Sequence, residues 1–227
     1  MEFSSLILTL PVWIGSFVER FRFPIETVEE RMRFVIALAA ENIKRKTGGP
    51  FAAALFDRTT GELIAPGVNR VQPLNCSIAH AEMMAIGIAQ QRCDTYNLGA
   101  TDGMNTELVT STEPCAMCLG ALPWSGIKNL VCGATDADAR STGFDEGAKS
   151  ETWITDLAER GITTVTGICR TEAAEILKDY IAAGGCIYNG GAGEQAGSSA
   201  EQPKRYHRRT STHPEDTAGI SAEPKLT

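Results

Sequence analysis

The sequence has little histidine, no excess of basic residues, no internal repeat and no long apolar run that could span a membrane. Only three of its 227 residues are histidines, and two of these, His207 and His213, lie in a polar C-terminal stretch. A net charge of −7 argues against a broad nucleic-acid-binding surface, which needs clustered Lys and Arg. We therefore expect one globular domain with tails, in which His80 is the only histidine of the folded part.

The N-terminal segment, residues 1–23, is apolar and aromatic. Its uncharged run from Phe3 to Val18 is short for a spanning helix, and Pro11 interrupts it. A signal peptide would begin with positive charge, yet Glu2 is the only early charge and no convincing cleavage site follows. We expect residues 1–23 to form an arm that packs on the body of the protein or on a partner subunit.

Two short motifs carry the chemistry. His80 and Glu82 form H-x-E, and Pro114, Cys115 and Cys118 form P-C-x-x-C. One imidazole and two thiolates are good ligands for tetrahedral zinc, and three protein ligands leave the fourth position open for water. Zinc can lower the pKa of that water to about 7, and the glutamate is placed to move protons between the water and a substrate.

Neither motif is specific when it is taken alone. H-x-E alone would be chance, and C-x-x-C alone could be a redox pair or half of a structural zinc site. A structural site would add a fourth protein ligand, such as Cys132 or Cys76, and would leave the glutamate without a purpose. Together, in this order, the two motifs resemble the signature of the zinc-dependent nucleobase deaminases. The resemblance implies one Zn²⁺ per subunit, with water or hydroxide as the fourth ligand beside His80, Cys115 and Cys118.

The remaining cysteines show no paired spacing. We expect them to behave as small buried apolar residues; they are Cys76, Cys93, Cys132, Cys169 and Cys186. A zinc–thiolate site with free cysteines favours a reducing compartment, so a cytoplasmic protein is expected.

Hydrophobic periodicity and turn residues predict an alternation of helices and strands. Helices are expected at 24–46, 79–93, 153–160 and 171–182, with one more beginning at Pro114, and strands at 51–56, 63–68, 107–111, 128–133 and 162–168. Asn75 or Ser77 is expected to cap the helix that holds His80, and residues 135–149 to form a loop that could hold one helical turn. This order predicts an α/β fold, a three-layer α/β/α sandwich with a mixed central sheet, in agreement with the cytidine deaminase-like fold that the resemblance implies.

The composition changes near residue 190, where aliphatic residues nearly vanish. Such a segment cannot bury enough apolar surface to offset its ordering entropy. We therefore divide the chain into the arm at 1–23, a deaminase domain at 24–189 and a disordered polar tail at 190–227. A basic cluster at 204–209 could touch nucleic acid, but a solvated tail is the preferred interpretation.

Further stretches resemble bacterial guanine deaminases of this fold, most closely the branch that also accepts the triazine ammeline. They lie at 49–54, 69–71, 79–82, 110–115 and 143–147. The resemblance implies zinc-dependent hydrolytic deamination of guanine to xanthine and ammonia, with ammeline as a second candidate substrate. It also implies a homodimer that acts on a small nucleobase, with no membrane and no nucleic acid as partner.

The resemblance assigns roles to particular residues. Glu82 would take the water's proton and give it to the ring. Glu146 would be a second carboxylate in the proton shuttle, with Asp145 as the fallback, and Asn69 would hold the purine edge through its amide. The other substrate-binding positions are Phe51 and Trp124 as aromatic residues around the base, Ala81 through its backbone N–H, and Tyr188 in a segment that closes the pocket.

Purely structural roles for these residues, and other activities for the protein, stay open at this point. Glu146 would otherwise be an exposed loop acid, Asn69 a turn residue, and Phe51 and Trp124 ordinary core residues. A tRNA adenosine deaminase shares both zinc motifs but should show a basic groove, and the acidic balance and residues 144–146 point away from it. Guanosine or cytosine deamination is a further alternative, and a structural zinc-binding module is the non-enzyme one.

Overall fold

A five-stranded mixed sheet lies at the centre of the structure, a computed structural model that describes residues 6–101 and 103–189. The strands are β1 (Ala52–Asp57), β2 (Leu63–Val68), β3 (Thr106–Thr112), β4 (Asn129–Ala134) and β5 (Thr163–Val165). Their spatial order is β2-β1-β3-β4-β5. Strand β1 is antiparallel to β2 and β3, whereas β3, β4 and β5 run parallel to one another.

Helices connect these strands. They are α1 (Ile14–Val18), α2 (Val28–Lys44), α3 (Val71–Leu74), α4 (Ala81–Arg92), α5 (Ala116–Ser125), α6 (Asp136–Ser141), α7 (Trp153–Ala158) and α8 (Arg170–Ala182), with a 3₁₀ turn at Leu98–Ala100. Within the described ranges, no helix combines the length and the apolar character needed to cross a membrane.

Each face of the sheet is covered by its own helices and its own core. Along β1, Ala54 and Phe56 join the core with α1, α2 and α8, while Ala53 and Leu55 join the core with α4, α5 and α7. This alternation follows from the two-residue period of a strand that is buried on both faces. The predicted three-layer sandwich with a mixed sheet is therefore confirmed.

The described part of the N-terminal arm packs on the α2 face. Trp13, Ile14 and Phe17 are buried, and the Phe17 ring lies 5.9 Å from the Phe34 ring of α2. Leu6 remains exposed. The arm thus contributes to the core around α2, and residues 1–5 lie outside the described residues.

Two helix beginnings differ from the sequence prediction. Helix α2 begins at Val28 rather than Pro24, because Thr27 and Glu30 form a capping box that satisfies the free N–H groups of its first turn. Helix α4 is capped by His80 itself, and Asn75, expected as its cap, instead ends α3 in the left-handed conformation. The side chain of His80 makes no capping bond, which leaves it available to the site.

Other differences are local. Helix α6 lies where a loop that could hold one helical turn was predicted, and it begins with its own capping box, Thr135 with Asp138. Strand β5 is shorter than predicted and lies at the sheet edge. Of the five cysteines expected to be buried, only Cys132 is, and Cys186 is exposed. The predicted tail at 190–227, with its basic cluster, lies outside the described residues.

Candidate active site

Both motifs lie at helix N-termini that face each other. His80 precedes α4 and Cys115 precedes α5, each as the N-cap residue in extended conformation. Cys118, three residues into the second motif, lies on the same side of α5 as Cys115. Free N–H groups at both helix N-termini favour anionic groups there, and thiolates in particular.

The three side chains form a cluster whose dimensions fit a zinc ion. One ligand atom each from His80, Cys115 and Cys118 lies within 4.8 Å of the other two. The Cys115 Sγ to His80 Nδ1 distance is 3.5 Å. Zinc–nitrogen bonds of about 2.0 Å and zinc–sulfur bonds of about 2.3 Å at a tetrahedral angle would require a separation of about 3.5 Å. Among the described residues, no fourth His, Cys, Asp or Glu joins the cluster.

The charge state of the cluster also suits a cation. A hydrogen bond from the Cys118 thiol, followed by contact with His80, lowers the pKa of Cys115 to about 4, so this sulfur is a thiolate at neutral pH. Burial works to lower the pKa of His80, but the contacts with Cys115 and Glu82 outweigh it and raise that pKa. A bound divalent cation would displace protons from these ligands and hold both sulfurs as thiolates.

A cavity of about 310 Å³ opens directly onto the cluster. His80 and Cys115 line it together with two buried acids, Glu82 and Glu146. Burial, followed by the charge of Cys115, raises the pKa of Glu82, and the same causes raise that of Glu146 to about 8. The volume is at the lower end of the range for small-molecule sites, about 300–1,000 Å³.

The structure separates Glu146 from its neighbour Asp145. Glu146 is 6% exposed, whereas the Asp145 side chain is 54% exposed and pairs with Arg140 at 3.8 Å. The backbone carbonyl of Glu146 accepts a hydrogen bond from the Ala116 N–H at 2.9 Å, which ties this loop to the start of α5. The alternative interpretation of Glu146 as an exposed loop acid is therefore wrong.

Aromatic side chains form the other walls. Phe51, Phe144 and Tyr188 line the cavity, and the Phe51 and Phe144 rings meet edge to face at 4.8 Å. Asn189, next to Tyr188, accepts a hydrogen bond from the Asp145 N–H at 2.9 Å. Tyr188 and Asn189 therefore line one side of the cavity, next to the loop that carries Glu146. Phe144 was not predicted from the sequence to line the site, although it lies inside the motif at 143–147.

Asn69 lies one layer behind the cavity wall. It is 1% exposed, its amide N–H donates to the Tyr188 hydroxyl, and its Oδ1 accepts from the Val71 N–H at 3.3 Å. Ala81 is buried between two residues that line the cavity, and its N–H is one of the first four of α4, which have no acceptor within the helix.

Trp124 does not reach the cavity. Its side chain is 85% exposed and lines a separate groove beside Trp153 on the outer side of α5. Helix geometry explains this position. Nine residues at about 100° each place Trp124 on the side of α5 opposite Cys115. Neither predicted role, stacking on the base or packing in the core, is met within this chain.

Comparisons with known proteins agree with this geometry. A family model described as the cytidine and deoxycytidylate deaminase zinc-binding region matches residues 25–134. The guanine deaminase of Bacillus subtilis is 38% identical over 118 residues, which cover 52% of this chain and 71% of that protein. A tRNA-specific adenosine deaminase of Buchnera aphidicola is 33% identical over 119 residues, 52% of this chain and 72% of that protein.

Solved structures share the fold over most of the chain. A structure of guanine deaminase from Nitrosomonas europaea is 44% identical with a TM-score of 0.75, covering 80% of this chain and 99% of that one. A mutant of the protein NE0047 in complex with 8-azaguanine is 45% identical with a TM-score of 0.74, covering 78% and 98%. The predicted cytidine deaminase-like fold is confirmed, and the chain belongs to the cytidine and deoxycytidylate deaminase family.

Proposed function

We propose that the protein catalyses the hydrolytic deamination of guanine to xanthine and ammonia, with ammeline as a second candidate substrate. The observation that carries the proposal is the pair of buried acids, Glu82 and Glu146, which face one cavity together with the His/Cys/Cys cluster. The similarity to guanine deaminases over 80% of the chain supports the choice of substrate.

His80, Cys115 and Cys118 would hold one Zn²⁺, for which their donor atoms and spacing are suitable. When bound with an open position, zinc would polarise a water molecule and lower its pKa towards neutrality. The rest of the reaction requires proton transfers by the protein.

The two acids divide those transfers. Water adds to C2 of guanine and the C2–N bond to the amino group breaks, so one proton must reach a ring nitrogen and another the departing ammonia. Glu82 takes the proton of the attacking water and delivers it to the ring nitrogen. Glu146 assists the proton transfer to ammonia. Burial raises the pKa of both carboxyls, which makes each a better base towards a proton from water and still able to pass that proton on.

The walls of the cavity suit a flat heterocycle. Phe51 and Phe144 offer apolar ring surface, and the Tyr188 ring lies 6.0 Å from that of Phe144. We propose that Asn69, which offers both donor and acceptor atoms, holds the purine edge through the Tyr188 hydroxyl, to which its amide donates, and that the Ala81 N–H meets the purine carbonyl. Exclusion of water by these residues would strengthen the polar interactions inside.

A tRNA substrate is the main rival, since tRNA-specific adenosine deaminases are among the relatives. In the described part of the chain, no Lys or Arg lines the cavity, and four acids do: Glu82, Glu113, Asp145 and Glu146. A cavity without basic side chains offers no partner for phosphate groups, and phosphate contacts supply most of the affinity for nucleic acid. The charge of the cavity therefore favours a neutral nucleobase.

The test is ammonia release by purified, zinc-loaded protein from guanine, guanosine, ammeline, adenine, cytosine and cytidine. Turnover of guanine with guanosine refused would support the proposal. Turnover of guanosine instead would keep the mechanism and overturn the proposed pocket. No ammonia release from any of these small substrates, with zinc present, would contradict the proposal, and tRNA would be the next substrate to test.

We also propose a homodimer, on the basis of the family resemblance. Light scattering at several protein concentrations would measure the molar mass, and a mass that stays at 24.3 kDa would contradict this proposal.

A further inference from the structure

One buried amide connects the N-terminal arm to the candidate base-recognition residue. Asn42, in the last turns of α2, is fully buried. Its Nδ2 donates to the Gly49 carbonyl at 2.9 Å and to the Asn69 carbonyl at 3.0 Å. Its Oδ1 accepts from the Thr47 hydroxyl at 2.7 Å. The Trp13 Nε1 of the arm donates in turn to the Thr47 oxygen at 3.0 Å.

The direction of this chain is fixed by chemistry. Carbonyl oxygens only accept, so the amide of Asn42 must turn its NH₂ towards Gly49 and Asn69. The hydroxyl of Thr47 must then donate to Oδ1, and its oxygen is left to accept from the indole of Trp13, which only donates. Loss of the Thr47 hydroxyl therefore leaves Oδ1 of the buried Asn42 without this donor.

The backbone around the amide has no room to adjust. A Cβ added at Gly48 would lie 1.7 Å from the Asn69 carbonyl oxygen and 2.8 Å from the Asn42 Nδ2. A second contact holds the same two segments together, since Arg70 Nη1 donates to the Thr47 carbonyl at 2.6 Å. The position of the Asn69 backbone is thus set from the side of α2.

We propose that Asn42 is a positioning residue for Asn69, and that Thr47 and Trp13 set its orientation from the N-terminal arm. The side chain of Asn69 reaches the wall of the cavity at Tyr188, so a shift of its backbone moves the amide that is proposed to hold the purine edge. This inference rests on the proposed function. It gives the arm a part in substrate binding, beyond its packing on the core.

The experiment measures guanine kinetics, binding of 8-azaguanine by calorimetry and melting temperature, all on full-length zinc-loaded protein. Thr47→Val removes the hydroxyl at nearly constant shape, and Thr47→Ser restores it. We expect Thr47→Val to raise both the KM for guanine and the Kd for 8-azaguanine by about 3- to 10-fold, with kcat within about twofold. Thr47→Ser should stay near the wild type, and Trp13→Phe should shift KM in the same direction by less.

Two comparisons separate positioning from general destabilisation. Thr106→Val is the control, because Thr106 is fully buried at the far end of β3 and its hydroxyl has no partner among the described residues. In an Asn69→Ala background, Thr47→Val should have no further effect on the Kd. An equal effect of Thr47→Val with and without Asn69, or a lower melting temperature with unchanged KM and Kd, would overturn the inference. A wild type that neither binds 8-azaguanine nor deaminates guanine would instead overturn the proposed function itself.

Discussion

Replacement of Glu82 by glutamine should abolish turnover and leave metal binding intact. The carboxyl is 8% exposed and faces the cavity, but it is not a member of the His/Cys/Cys cluster. A general acid–base group contributes about 10²–10⁴ to a rate. Because Glu82 is proposed to act in two successive transfers, we expect kcat to fall about 10⁴-fold, which corresponds to about 5.4 kcal/mol of transition-state stabilisation.

The same replacement should not destabilise the fold. Burial raises the pKa of Glu82, which means that its charged form is disfavoured in the folded protein at neutral pH. A neutral amide of equal size removes that cost. We therefore expect the zinc-free variant to melt at the same temperature as the wild type or above it, as is common where a catalytic group is held in an unfavourable environment.

The assay is ammonia release from guanine, with zinc content measured by mass spectrometry of the same samples. Glu113→Gln is the control, since Glu113 also lines the cavity but accepts from Lys149 at 3.3 Å and from the Asp136 N–H at 3.0 Å. It should lose less than about tenfold in kcat, because those bonds give it a structural role. Activity that survives Glu82→Gln, or inactivity that comes only from lost zinc, would refute the proposed mechanism.

Three further predictions concern other parts of the molecule. Glu146→Gln should lower kcat by about 10²–10³-fold, whereas Asp145→Asn, at the exposed neighbour, should lower kcat by less than about threefold. Equal effects of the two replacements in steady-state kinetics would show that the proton-shuttle role was assigned to the wrong residue. The hydrogen bond from Arg170 lowers the pKa of Asp138, so the stabilising contribution of the Asp138 carboxylate is present above pH about 4 and is lost as the pH falls further. The difference in melting temperature between the wild type and Asp138→Asn should therefore narrow from pH 6 to pH 3. A constant difference would contradict this prediction. Gly48→Ala should lower the free energy of unfolding, measured with denaturant, by about 1–3 kcal/mol and should raise the KM for guanine. An unchanged KM would argue against close packing at Gly48.

The sequence was informative where one short stretch determines its own structure. The period of β1 and β2, the spacing of the two zinc motifs and the turn between the strands are local signals, and the structure has these elements within a residue or two of the prediction. Helix ends were less certain, because Pro24 and Thr27 offer competing beginnings and only the capping box of Thr27 with Glu30 decides between them.

Contacts between residues that are distant in sequence could not be predicted from these local signals. Asn69 and Tyr188 are 119 positions apart and meet through a hydrogen bond, while Asn42 and Asn69 are separated by 27 positions. No periodicity reports such pairs. The exposure of Trp124, by contrast, could have been predicted, since its offset from Cys115 along a helix already places the two residues on opposite sides.

The candidate site brings several ionisable acidic groups together in one cavity. Cys115 is a thiolate, and Glu82 and Glu146 are buried beside it, while no Lys or Arg among the described residues lines the cavity. Buried like charges raise one another's pKa, so without a cation the site holds protons that its carboxyls need to release. A divalent ion at the His/Cys/Cys cluster would reverse that balance, lowering the pKa of the acids as well as of the ligands. With the ion bound, the same acids would be able to take up and release protons near neutral pH, which is the property that the proposed reaction requires of them.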